Sequence, residues 1–208
     1  TARSQLVEDK LAGLLDQCDK VTETAHSHQH DSNQKPSNQD LPPVHLWEPD
    51  NCGEIDIKIQ SDGRWFHEGS PINRLPMVKM FSRILRHDDD DCYYLVTPVE
   101  KMRIQVEDVP FVAVALQVQG EGIDQVIQFT TNVGDVAQLG LAHPIRVELD
   151  STTQEPRPYI HVRANLEALI SRSVFYELVE LAEERDLEGS RVIGVHSEGE
   201  FYSLGSIV

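Results

Sequence analysis

Two stretches, Met77-Val78-Lys79-Met80-Phe81-Ser82-Arg83-Ile84-Leu85 and Val174-Phe175-Tyr176-Glu177-Leu178-Val179-Glu180-Leu181-Ala182, decide the architecture this chain is expected to take. Met77, Val78, Phe81, Ile84 and Leu85 match Val174, Phe175, Leu178, Leu181 and Ala182, each pair 97 positions apart. Their spacing is that of a helix with one apolar face. The same offset carries Trp65 onto Val162 and Ile72 onto Leu169, in the strand before each helix. Around both helices the order reads strand, turn, strand, helix, strand, from Ile55 to Thr97 and again from Ile145 to Leu204. Internal similarity outranks local propensity as a clue to architecture. It predicts an α+β fold of two related strand-strand-helix-strand units, with curved antiparallel sheets each closed by one helix. Two such units leave a cleft between them, and a ligand is expected there.

Outward from the helices the strands follow. Ile55, Ile57 and Ile59 alternate with Asp56 and Lys58, the mark of a half-buried strand, and Ser61-Asp62-Gly63 supplies a tight turn into Arg64 to Ile72. Pro76 suits the first turn of the next helix, where its missing N–H costs nothing. That helix is expected to end at Arg86-His87, and Asp88 to Asp91 to form a solvated loop. Their spacing does not match a calcium-binding EF-hand loop. Tyr93 to Thr97 pairs with Met102 to Val106, Val112 to Val118 with Val126 to Thr131, and Val192 to Val195 with Phe201 to Leu204. In front, Leu6, Val7, Leu11, Leu14, Leu15 and Cys18 recur at helical spacing. The divisions are an amphipathic helix over 1–21, a polar linker expected to be disordered over 22–45, and the units over 46–108 and 109–208. His26, His28 and His30 alternate in the linker, and no second ligand group is fixed near them, so a solvated tract outranks a metal site.

Composition bounds the function. With 35 acidic and 18 basic residues the chain carries −17, of which only −3 falls on residues 1–45. Such a surface repels phosphate backbones and anionic membranes, which argues against nucleic-acid and membrane partners. A small anion remains compatible, because a positive pocket can stand inside a negative protein. Cys18, Cys52 and Cys92 show no metal-ligand spacing and fit a reduced cytoplasm. No apolar run approaches the ~20 residues that span a bilayer, and no secretory signal is expected.

Five longer motifs stand in these segments: Arg64-Trp65-Phe66-His67-Glu68-Gly69-Ser70-Pro71-Ile72, Leu95-Val96-Thr97-Pro98-Val99-Glu100-Lys101, Val106-Glu107-Asp108-Val109-Pro110-Phe111, Phe129-Thr130-Thr131-Asn132-Val133-Gly134-Asp135, and Pro156-Arg157-Pro158-Tyr159-Ile160-His161-Val162-Arg163. Over roughly residues 46–206 the chain resembles a bacterial family known as Domain of Unknown Function 1285. The resemblance implies a duplicated core whose second half is loosely like a pleckstrin-homology barrel. It also implies a ligand site between the halves, suited to something nucleotide-like in a signalling role. It implies no activity.

The residues themselves offer several candidates. Tyr159, His161, Arg163 and Asn165 alternate and share one strand face. A ring, an imidazole, a fixed cation and an amide make a nucleotide-contacting set. An outward polar stripe is the plainer reading of the same pattern. Lys101 and Arg103 could meet a phosphate, or pair with Glu100, Glu107 or Asp108. Thr131 and Asn132 form a ligand rim or a structured turn. His67 and Glu68 could act as acid and base, but neighbours on a strand point to opposite sides. No phosphate loop, dinucleotide fingerprint or serine elbow occurs, and no cofactor is indicated. The first reading is a non-catalytic, ligand-binding regulatory protein that senses a small anionic, phosphorylated or nucleotide-like molecule at the cleft. The second is a protein-interaction module with a basic partner. The third is a hydrolase-like enzyme with His67 or His161 as general base.

Overall fold

Ile55, Ile57 and Ile59, none more than 6% exposed, are the inward residues of β1 (Asn51–Ile59) and the floor of the first of two compact units, Thr1–Asp108 and Val109–Val208. The computed structural model describes residues 41–187 and 189–206, together with Gly13, Asp16 and Gln17. Those three are helical; the rest of the expected leading helix, and the linker as far as residue 40, lie outside the described residues.

In the first unit β1 is followed by β2 (Trp65–His67), β3 (Ser70–Pro71), α1 (Leu75–Arg83), β4 (Leu85–His87), β5 (Tyr93–Val96) and β6 (Glu100–Val106). They form one sheet in the order β3-β2-β1-β6-β5-β4. β1 and β6 run parallel, and every other neighbouring pair is antiparallel. Pro76 stands in the first turn of α1, whose inner face buries Val78, Phe81 and Ser82. The Phe81 ring stacks on Trp65 at 6.2 Å, tying helix to sheet. The helix stops sooner than its apolar spacing predicts. Ile84 closes a tight turn, and Leu85 then pairs with Leu95, because a strand buries Leu85 and satisfies its backbone at once.

Between β2 and β3, Glu68 (φ 48°) and Gly69 (φ 74°) are both left-handed, and His67 pairs with Ser70 across them. This is the primed hairpin turn whose twist matches that of the strands.

The second unit holds β7 (Phe111–Gln119), β8 (Val126–Thr131), β9 (Val136–Gln138), β10 (Ile145–Leu149), β11 (Pro156–Arg163), β12 (Leu166–Ile170), α2 (Arg172–Glu180), β13 (Glu183–Leu187), β14 (Ser190–Ser197) and β15 (Glu200–Ser206). Its larger sheet runs β10-β11-β12-β7-β8-β9, with β12 and β7 parallel, and β13-β14-β15 forms a separate sheet. Phe111, Ile127, Phe129, Ile160, Val162 and Leu178 are fully buried in its core.

The expected α+β layout of two strand-strand-helix-strand copies is overturned. Strands hold 51% of the structure in three sheets, with two α-helices between residues 41 and 206, so the fold is mostly β. Both six-stranded sheets are mixed where antiparallel sheets were expected. The two six-stranded sheets share one strand order, two three-stranded meanders whose first and last strands lie parallel at the centre, but the helix stands between the meanders in the first unit and after them in the second. After α1 the chain returns to its own sheet and lays β6 parallel to β1; after α2 it builds a new sheet. The parallel partner of β12 is β7, which precedes the supposed second copy. Helices of nine residues match in pattern because both cover a sheet face, and that requirement does not depend on which strands pair beneath them.

Candidate functional site

Along the expected stripe on β11, His161 and Arg163 are half-buried and Asn165, just past the strand, is exposed. Tyr159 is 2% exposed. The Arg146 guanidinium lies 4.1 Å from its ring centroid, and Arg157 Nε donates to its hydroxyl at 2.9 Å. Arg146 in turn donates to both Glu167 carboxylate oxygens, at 2.8 and 2.6 Å, and to Glu148. The Glu167 hydrogen bonds hold the guanidinium's pKa above its ordinary value, although burial acts the other way. Arg163 pairs with Asp135 and lies 4.9 Å from the Phe111 ring centroid. His161 faces two backbone carbonyls, Ala142 at 3.0 Å and Ala164 at 2.5 Å, so its ring nitrogens meet acceptors rather than a carboxylate. Asn165 follows Ala164, which turns the chain at φ 45° between β11 and β12.

Thr131 and Asn132 belong to the same neighbourhood. Thr131 Oγ1 accepts from the Asp135 N–H at 3.0 Å, and Asn132 Oδ1 accepts from the Val112 N–H at 3.1 Å. They shape the turn that carries Asp135 to Arg163. Arg163, Thr131 and Asn132 therefore meet, and their polar atoms work within the fold.

In the first unit Lys101 meets Asp88, which also accepts from Arg86 Nε and Nη2 at 2.6 and 3.0 Å. Arg86 further donates to the carbonyls of Val44 and Trp47, at 2.9 and 2.7 Å. Burial alone would raise the Asp88 carboxyl, but the hydrogen bonds and charges of Arg86 and Lys101 outweigh it and hold it below the usual carboxylate range. The Tyr94 hydroxyl donates to Asp90 at 2.6 Å, which pushes the phenol's pKa up. The aspartate loop is thus cross-linked by its own cations. Among the described residues no cluster of three or more His, Cys, Asp or Glu side chains is placed to hold a metal.

His67 and Glu68 are not brought together. His67 Nε2 is buried and has no hydrogen-bond partner among the described residues. Glu68 is exposed in the hairpin turn.

Arg103 lies elsewhere, and its surroundings escaped the sequence reasoning. The β1–β6 ladder shifts register: Glu54 faces Arg103 and Lys58 faces Gln105, so residues 55–57 stand opposite Ile104 alone. At this bulge a groove of about 680 Å³ opens, lined among others by Glu54, Asp91, Tyr93, Arg103 and Asp108. Ile55 and Ile104, at 6% and 4% exposure, lie behind it in the core. The Tyr93 ring is fixed by stacking on His87 at 4.3 Å, and His87 Nε2 lies 3.2 Å from Asp91. Arg103 Nη1 is 3.7 Å from Glu54. Three carboxylates and one guanidinium beside a fixed aromatic ring can receive a polar molecule that carries an ammonium group. No spacing signal could have shown this, because the lining depends on a parallel pairing between residues about fifty positions apart.

Comparison with known proteins places these features in context. The model of "Domain of unknown function (DUF1285), N-terminal domain" matches residues 42–109, and that of "Protein of unknown function (DUF1285), C-terminal domain" matches 110–204. A crystal structure of a DUF1285 family protein from Silicibacter pomeroyi DSS-3 is similar at 47% identity and a TM-score of 0.74, covering 88% of this chain and 93% of that one. A second, from Shewanella baltica OS155, shows 26% identity and a TM-score of 0.47 over 60% of this chain and 90% of that one. No curated protein matches. Among the described residues no helix is long and apolar enough to cross a membrane.

Proposed function

The chain belongs to the DUF1285 family, and from that premise we propose that it is a ligand-binding regulatory protein whose first unit takes a small polar molecule in the groove beside Arg103. The groove at the β1–β6 bulge carries this reading, because it joins a fixed aromatic ring to charges of both signs. With Glu54, Asp91 and Asp108 against Arg103, it favours a ligand bearing a cationic group and one acidic group for the guanidinium. Binding acts by favouring one register of the bulged strand pair, since a ligand shifts an equilibrium only through differential affinity. The free thiols of Cys52 and Cys92 suit a reducing, cytoplasmic setting.

The test is a thermal-shift and calorimetric screen with two arms. One holds ammonium-bearing zwitterions and polyamines; the other holds nucleotides and phosphorylated metabolites, the classes expected from the sequence. A ligand at ~100 times its dissociation constant adds about 2.7 kcal/mol and raises the melting point by several degrees. Arg103→Ala and Glu54→Gln, both at exposed positions, should abolish the shift and leave the unliganded melting point unchanged. No shift from either arm, or one indifferent to both substitutions, refutes the reading.

A further inference from the structure

Thr97 directly follows β5, and the turn beyond it is open to solvent: Pro98 is exposed and Val99 is 58% exposed. Thr97 itself is fully buried. Its backbone N–H donates to the Glu100 carbonyl at 2.9 Å, and its Oγ1 accepts from the Glu100 N–H at 3.1 Å, which closes the turn between β5 and β6. The hydroxyl proton goes elsewhere. It is donated to Gln17 Oε1 at 2.6 Å, nearer than the Glu100 carbonyl at 3.2 Å. Gln17 and Thr97 stand 80 positions apart, and both belong to the first unit.

Gln17 is one of three described residues of the leading segment, with Gly13 and Asp16, and all three are helical. Their surroundings show which way that segment turns. At about 100° per residue, Val7, Leu11, Leu14, Leu15 and Cys18 lie within about 60° of one line along the helix. Asp16 stands about 160° from that line and is exposed. Gln17 stands about 100° from it, at the rim, and is half-buried. A Cβ on Gly13, about 140° away, would meet nothing within 4 Å. Asp9 and Lys20 fall on the same outer side as Asp16. The polar side faces water and the rim touches Thr97, which leaves the leucine side for the body of the first unit.

We propose that the end of β5 is the docking site of the chain's own leading helix, residues 6–18, laid with its leucine side against the first unit and with Gln17 latched on Thr97. A helix of this length is marginal alone in water, so packing of the apolar side is what holds it. The hydrogen bond at the rim sets its position. Residues 18–40 join Gln17 to Leu41. Fully extended, that tether spans up to about 80 Å, so reach does not limit docking. It also keeps the helix near the site at an effective concentration of the order of millimolar. Two chains of charge −17 repel, so the helix of the same chain outcompetes that of a second copy. An outside partner that takes this surface has to displace the helix first.

The experiment follows amide hydrogen exchange of residues 6–18 in the full chain at two concentrations about a hundredfold apart. Protection well above that of an unstructured chain, and equal at both concentrations, is expected. Thr97→Val keeps the side chain's shape and removes the hydroxyl, and it should lower that protection about fivefold, the worth of one hydrogen bond. Leu11→Asp, in the middle of the leucine side, should abolish it. Gly13→Ala, on the open outer side, should raise it about fivefold, because glycine weakens a helix interior. Residues 6–18 that exchange as an unstructured chain overturn the proposal. So does protection that rises with concentration, which would assign the helix to a second copy. Protection unmoved by any one of the three substitutions overturns it as well. If Leu11→Asp does not fold, the other two decide.

Discussion

Replacing Asp88 by Asn keeps the side chain's shape and removes the charge on which Arg86 and Lys101 converge. The three side chains are 18%, 11% and 18% exposed, so solvent screens them only in part. The carboxylate accepts two bonds from Arg86 and one from Lys101. Removing one partner of a buried ion pair costs about 3–5 kcal/mol, chiefly because the remaining charge is stranded. Arg86 keeps the carbonyls of Val44 and Trp47, and Lys101 keeps the Tyr94 ring at 3.9 Å, so the lower end applies, about 3 kcal/mol. For a unit of this size that lowers the transition by roughly 10–20 °C. The assay is urea unfolding followed by tryptophan fluorescence, with Trp47 and Trp65 both in the first unit. The pH dependence supplies an independent check. A carboxyl whose folded pKa lies below its unfolded value adds stability above the unfolded pKa, and that stability is lost as pH falls through the folded one. The gap between wild type and Asp88→Asn should therefore be full at neutral pH and close below about pH 4. Adding Lys101→Met to Asp88→Asn should cost less than the sum of the two, since no ammonium is then left unpaired. A neutral-pH loss under about 1 kcal/mol, or a gap that persists into strong acid, would refute the account.

Two further substitutions probe the backbone. Gly194→Ala would put a methyl carbon 2.4 Å from the Phe201 ring and from the Tyr202 carbonyl oxygen; a loss of about 2–3 kcal/mol is expected, read by thermal melting, and a neutral result would show that β14 and β15 can part there. Glu68→Asn converts the turn between β2 and β3 to Asn-Gly, the pair best suited to two left-handed residues, and should stabilise by about 0.5–1 kcal/mol in urea titration.

The local elements were readable because period-two alternation and turn residues act over a few positions. The Ile55–Ile59 strand, the Val112–Val118 strand with its return through Thr131, and the last hairpin all pair as their spacing predicts. Candidate residues were readable only as residue types. Arg163 and Lys101 stood out as cations that could meet a ligand, and the structure gives them Asp135 and Asp88 instead. The groove at Arg103 was invisible, since Glu54 and Asp91 reach it from separate strands and loops.

Alternating apolar residues and glycine turns wrote the strands and hairpins directly into the chain, because those forces operate between near neighbours. The partnering of distant strands was settled by folding alone: β1 beside β6, β12 beside β7, and a separate third sheet after α2. A backbone edge bonds to whichever strand arrives, and side-chain alternation is satisfied by either. That freedom is why the matching helices misled about which strands belong to each repeat, and why the groove appears only in three dimensions.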